Sequence, residues 1–90
     1  MKRDNPEILN KYAWTIYVFK LNQDYNLALE YSQKAVSMNS NKANYLATQA
    51  WLYYGTGNRE KGIESMKRAI EINPHPEYKK NLETMISSKQ

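Results

Sequence analysis

A 34-residue echo constrains this chain more than any other feature: Asp24, Ala28, Ala35 and Ser40 are answered by Asn58, Gly62, Ala69 and Pro74. A fixed period of that length, filled with helical patterns, belongs to chains that stack supersecondary units, none of which can bury its apolar face alone. It predicts an all-α fold, an α-solenoid of antiparallel helix pairs with about five helices in the 90 residues. Units of this kind bind other chains and catalyse nothing. The echo therefore names a type of work, a scaffold for protein or peptide contact, and leaves the partner unnamed.

At this length a chain buries only about 60% of the surface its unfolded form exposes, so the stack is thinly stable. No cysteine is present to add a disulfide or a thiolate metal site, and the compartment stays open between cytoplasm and periplasm. The net charge of +4 looks basic, but acids are threaded among the bases, as in Arg59-Glu60-Lys61 and Lys67-Arg68-Ala69-Ile70-Glu71. That pattern describes a solvated helix face better than a phosphate track. The longest uncharged run, Ala43 to Asn58, carries Asn44, Thr48, Gln49, Thr56 and two glycines. It falls short of the roughly 20 mostly apolar residues that a membrane helix needs. Met1-Lys2-Arg3 is followed at once by Asp4-Asn5-Pro6 rather than by an apolar stretch, so the start does not read as a signal peptide and the chain reads as soluble.

Along the chain, Asn5-Pro6-Glu7 opens a first helix with a capping side chain, a proline whose missing N–H costs nothing, and an acid at the positive end. Leu9, Tyr12, Ala13, Ile16 and Phe19 follow at three- and four-residue steps, the mark of a buried stripe. After Asn22-Gln23-Asp24, Asp24 is placed to cap a second helix with Leu27, Ala28, Tyr31, Ala35 and Met38 inward, ended by Asn39-Ser40-Asn41. A third helix runs from about Lys42 to Tyr54, with Leu46, Ala50 and Tyr53 on one face, and stops at Gly55-Thr56-Gly57. Asn58 caps a fourth, whose apolar face is Ile63, Met66, Ala69 and Ile70. Asn73-Pro74-His75-Pro76 ends it. A fifth, about Pro76 to Ser88, turns Tyr78, Leu82, Met85 and Ile86 inward and Lys79, Lys80, Asn81 and Glu83 outward, as the last element of a stack requires.

These residues resemble the tetratricopeptide repeat, a helix-turn-helix unit of 34 residues. The clearest match is Tyr45-Leu46-Ala47-Thr48-Gln49-Ala50-Trp51-Leu52-Tyr53-Tyr54-Gly55-Thr56-Gly57-Asn58, then Gly62, Ala69 and Asn73-Pro74. The resemblance divides a single domain into one repeat at about 6–40, a second at about 41–74 and a capping helix at about 76–88. Repeat 1 is the weaker copy, with Ser40 where the family carries proline. Ala13-Trp14 also recurs as Ala50-Trp51 at a spacing of 37, which a loop about three residues longer around Lys20 to Asp24 would explain. That register puts Ala13 opposite Ala28, as Ala50 lies opposite Gly62. Similar Ala-Trp repeats occur in bacterial proteins that carry another domain upstream, so the resemblance is compatible with an excised module.

In this family the first helices of successive repeats line an inner groove. The resemblance assigns to it Asn10, Trp14 and Tyr17 from the first repeat and Ala47, Trp51 and Tyr54 from the second. Each Trp/Tyr pair stands three residues apart on one helical face, and stacked repeats would align the pairs into an aromatic ladder. The competing reading makes Trp14 and Trp51 core residues wedged between helices, while Tyr12, Tyr31, Tyr45 and Tyr53 belong to core or seam. One version of the family holds a peptide's terminal carboxylate with lysine, arginine and asparagine side chains. Only Asn10 and Lys11 suit it, and Trp14 and Trp51 stand where it carries asparagine, so the resemblance implies a partner segment with apolar anchors instead.

No catalytic set, metal site or cofactor is expected. His75, the lone histidine, lies between two prolines and suits a helix-starting turn. Nucleic acid is the less favoured partner: Arg59, Lys61, Lys67, Arg68, Lys79 and Lys80 gather late in the chain, but Glu60, Glu64, Glu71, Glu77 and Glu83 dilute them. Two repeats are fewer than the three or so of a self-sufficient stack, so a second copy of the chain, or an upstream domain of the same chain, could complete the first helix.

Overall fold

The side chain of Asn5 accepts hydrogen bonds from the amides of Glu7, at 2.8 Å, and Ile8, at 3.3 Å, and with Pro6 in the first turn this fixes where the first helix begins. In a computed structural model, which describes residues 5–87, five helices follow one another: α1 Pro6–Val18, α2 Tyr25–Met38, α3 Ala43–Gly55, α4 Arg59–Ile72 and α5 Pro76–Ser87. Met1 to Asp4, which read as no leader, and Ser88, expected as the last helical residue, lie outside the described residues. Helix α1 pairs with α2 and α3 with α4. The pairs stack through α2 and α3, and α5 closes the end on α4.

The double register is present in the backbone. Helices α1 and α3 each have 13 residues and start 37 apart, whereas α2 and α4 each have 14 and start 34 apart. Six residues link α1 to α2 and three link α3 to α4, and the longer link contains a short 3-10 turn, Asn22–Asp24. That turn brings Asp24 to the start of α2 without a side-chain capping bond, whereas Asn58 accepts from the amide of Lys61 and caps α4 as expected.

Small residues set the helix spacing. A Cβ at Gly62 would lie 2.9 Å from the carbonyl oxygen of Ala50, so the α3–α4 crossing is as close as backbone allows. Ala13 and Ala28, both without exposed surface, make the corresponding contact between α1 and α2. The main core lies among α3, α4 and α5, where Leu46, Ala50, Met66, Ala69 and Met85 are fully enclosed.

Several residues expected inward are not. Tyr12 is 61% exposed and Phe19 69% exposed on the flanks of the α1 stripe, while Leu27 and Met38 of α2 and Ile86 of α5 are also largely in solvent. Only Leu9, Ala13 and Ile16 of α1 are buried, because α2 and α3 cover one side of that helix and no described residue covers the other.

Candidate functional site

Helices α1, α3 and α5 share one surface, and their side chains enclose a hollow of about 240 Å³. Asn10 and Trp14 come from α1, Asn44, Ala47, Thr48 and Trp51 from α3, and Tyr78 and Asn81 from α5. A second hollow adjoins it, with Tyr17, Tyr25, Tyr54 and Lys20 among its walls. The six residues assigned from the sequence are thus divided: Asn10, Trp14, Ala47 and Trp51 line the first hollow, and Tyr17 and Tyr54 line the second.

An unbroken run of rings joins the two. Tyr17 stacks on Trp14 at 5.7 Å between centroids, on Trp51 at 5.8 Å and on Tyr25 at 5.7 Å, and Trp51 meets Tyr54 edge-on at 5.6 Å. The contact between Tyr17 and Trp51 crosses from one repeat to the other, and it exists because the 37-residue register aligns α1 with α3. Gly55 makes room for it: a Cβ there would lie 2.9 Å from the ring of Tyr25 and 3.3 Å from that of Tyr17. Trp14 remains 41% exposed, while Trp51 is half-buried with one side against the main core. The two tryptophans therefore differ in kind, the first standing on the surface and the second part platform, part packing.

The first hollow is bordered by amides, a hydroxyl and rings, and none of the described residues lining it is charged. The Oδ1 of Asn10 is buried without a hydrogen-bond partner among the described residues. Thr48 spends its hydroxyl proton on the carbonyl of Asn44, at 3.0 Å. Burial, then repulsion from Tyr25 and Tyr54, pushes the Tyr17 phenol above its ordinary pKa, and burial followed by Glu77 does the same for Tyr78. Both stay neutral donors at physiological pH. Lys11 lies on the other side of α1, beside Ile8, Tyr12 and Thr15, so Asn10 alone is left of the carboxylate-holding pattern.

Asn81 was expected outward, and Asn44, Thr48, Tyr25 and Tyr78 were not expected at the site. The signal for α5 was present: it starts 33 residues after α3, so it stands where the first helix of a third repeat would, and its side chains reach the shared surface. Other expectations find ordinary structural uses. The Nδ1 of His75 accepts from the amide of Glu77 at 3.1 Å and caps α5. Arg59 donates to the carbonyls of Met85 and Ile86, tying the start of α4 to the last turn of α5, and Lys61 sits 5.7 Å from the ring centre of Tyr53. Among the described residues no group of three or more His, Cys, Asp or Glu side chains could hold a metal ion, and no helix is long and apolar enough to cross a membrane.

Residues 43–76 match the family model described as tetratricopeptide repeat. No curated protein matches the chain. Among solved structures it is similar in fold to MamA 41-end from Desulfovibrio magneticus RS-1, with a TM-score of 0.67 at 20% identity, covering 93% of this chain and 66% of that one.

Proposed function

We propose that this chain, whose residues 43–76 match the tetratricopeptide-repeat model, is a helical scaffold for protein interaction and holds its partner on the surface shared by α1, α3 and α5. The observation that carries this reading is the run of rings from Trp14 through Tyr17 and Trp51 to Tyr54, bordered by amides from three helices. Rings offer a large contact area with few rotors to freeze, so they serve as anchors at low entropic cost. The amides of Asn44 and Asn81 can each donate and accept, which suits the main chain of a bound segment. With no cation among the described residues that line the first hollow, a terminal carboxylate has no charged partner among them. The ligand of this reading is an internal stretch of a protein, neutral or nearly so, carrying two or more apolar side chains.

A displayed library of random peptides tests it. Peptides selected by the wild-type chain are measured again on Trp14→Ala and with their C-termini amidated. The expected result is at least a tenfold loss, about 1.4 kcal/mol, on Trp14→Ala, with helix content and melting unchanged, and no loss on amidation. Peptides that bind Trp14→Ala as well as wild type, or that need a free terminal carboxylate, would sink the groove.

A further inference from the structure

We propose that the second hollow takes the carboxylate of an aspartate or glutamate carried by the segment that binds the groove. The inference rests on the groove reading and adds to it one charge, at a place set by the ring contacts. The hollow, of about 440 Å³, lies where the end of α1, the 3-10 turn, the start of α2 and the end of α3 meet. Tyr17, Tyr25 and Tyr54, all half-buried, form its walls together with Lys20 and Asn22. Each phenol can donate a hydrogen bond, and so can the amide of Asn22. None of these four side chains has a hydrogen-bond partner among the described residues. Burial, then the phenols of Tyr25 and Tyr54, raises the pKa of Tyr17, so the three hydroxyls lie near one another.

Lys20 is the one charged residue among the described residues lining this hollow, and Asp24, four positions on, is not part of its walls. The lysine side chain has no ion pair or hydrogen bond among the described residues. Its backbone is the stronger sign. With φ of 57°, Lys20 is the one non-glycine residue in the left-handed region among the described residues, where the second repeat has Gly57. Glycine holds such a helix end without strain, so a lysine kept there is explained by a use for its charge. The second repeat also differs at the floor of the hollow. Arg59, 34 residues after Tyr25, donates to the carbonyls of Met85 and Ile86 and so spends its donors within the fold. Tyr25 keeps its hydroxyl for the hollow.

Three rings could also surround a cation, but Lys20 would repel one. A single ammonium beside hydroxyl and amide donors matches one negative charge, and the two oxygens of a carboxylate can accept about four hydrogen bonds. A phosphate monoester carries a charge closer to two and would be half-matched. The ring contacts fix the spacing. Trp14 to Tyr17 and Tyr17 to Tyr25 are steps of 5.7 Å each between centroids. An extended segment, advancing about 3.3 Å per residue, covers them in about three or four residues. The bound segment therefore carries an acid about three or four positions from the apolar side chain that meets Trp14.

A displayed library of random peptides, selected in parallel on the wild-type chain, on Lys20→Gly and on Tyr25→Phe, tests this. Peptides that need Trp14 should carry Asp or Glu at that spacing when selected on wild type, and should lose the preference on Lys20→Gly. In a synthetic wild-type-selected peptide, changing the acid to its amide should weaken binding to wild type about three- to fivefold and leave binding to Lys20→Gly unchanged. Tyr25→Phe, which keeps the ring and removes the hydroxyl, should show a smaller penalty than wild type. Thermal melts of both variants confirm that they are folded, and Lys20→Gly is expected to melt no lower than wild type. Peptides that need Trp14 but show no excess of acids, or an amide penalty as large on Lys20→Gly as on wild type, overturn this inference and leave the groove standing. Peptides indifferent to Trp14 overturn the groove and this inference with it. Phosphoserine at the acid's place binding more than tenfold tighter than glutamate overturns the assignment to a carboxylate.

Discussion

Helices α1 and α3 have the same length, begin at equivalent positions and end in the same backbone motif, yet α3 buries eight of its residues and α1 three. The difference lies outside both helices. Helix α3 is enclosed by the first repeat on one side and by α4 on the other, whereas among the described residues α1 has neighbours on one side only. Burial is thus set by position in the stack, and a side chain's share of the stability follows from where its repeat stands.

Leu9 and Leu46 make the sharpest comparison, since they are equivalent residues, one at the edge of the core and one at its centre. Leu46→Ala is expected to cost about 3–5 kcal/mol, enough to unfold most of so small a stack, and Leu9→Ala about 2 kcal/mol. Urea unfolding followed by far-ultraviolet circular dichroism measures both. Equal costs would mean that the first repeat is packed as tightly as the second, and would break the comparison.

The same contrast explains what could be read from the sequence and what could not. The 37- and 34-residue registers were legible because they depend on local signals: small residues at Ala13, Ala28, Ala50 and Gly62, and stop signals between helices. They align Trp14 with Trp51 and Tyr17 with Tyr54, and these rings stand in contact in the fold. The exposure of Tyr12, Phe19, Leu27, Met38 and Ile86 was not legible, because a helical apolar stripe tells which side can be buried, not whether a neighbour arrives to cover it. For the same reason the apolar pattern of α5 read as a cap, and the reach of Tyr78 and Asn81 to the site depended on how that helix docks.

Gly62 and Ala28 form the next pair. Gly62→Ala would press a methyl group onto the backbone of α3, 2.9 Å from the Ala50 carbonyl and 3.3 Å from the Tyr54 nitrogen, neither of which can turn aside. A net loss of about 1–3 kcal/mol is expected, even though alanine is the better helix former by about 1 kcal/mol. In the first repeat alanine already fills the place, so Ala28→Gly should also destabilise, by about 1 kcal/mol through backbone entropy and a lost methyl contact. A neutral or stabilising Gly62→Ala in the same unfolding assay would show that the two helix pairs are spaced alike.

The smallest effects are expected where the first helix of each pair ends, and there the two repeats should respond with opposite signs. After α1 the amide of Leu21 donates to the carbonyl of Ile16 and that of Lys20 to Tyr17; after α3, Asn58 donates to Tyr53 and Gly57 to Tyr54. Both are Schellman motifs, which need a left-handed residue just past the helix. The second repeat has Gly57 there, with φ of 91°, and the first has Lys20, with φ of 57°. A side chain in that region costs about 1 kcal/mol relative to glycine. Lys20→Gly should therefore raise stability by about 0.5–1 kcal/mol, although glycine also loosens the unfolded chain. Gly57→Ala should lower it by about 1 kcal/mol. No neighbour lies within 4 Å of a Cβ built at Gly57, so backbone strain alone would account for that loss. Thermal melts of the two variants beside wild type decide the matter. Shifts of the same sign would mean that the long link relaxes the first motif when Lys20 is replaced, and that the two helix ends, alike in hydrogen bonding, are not alike in what holds them.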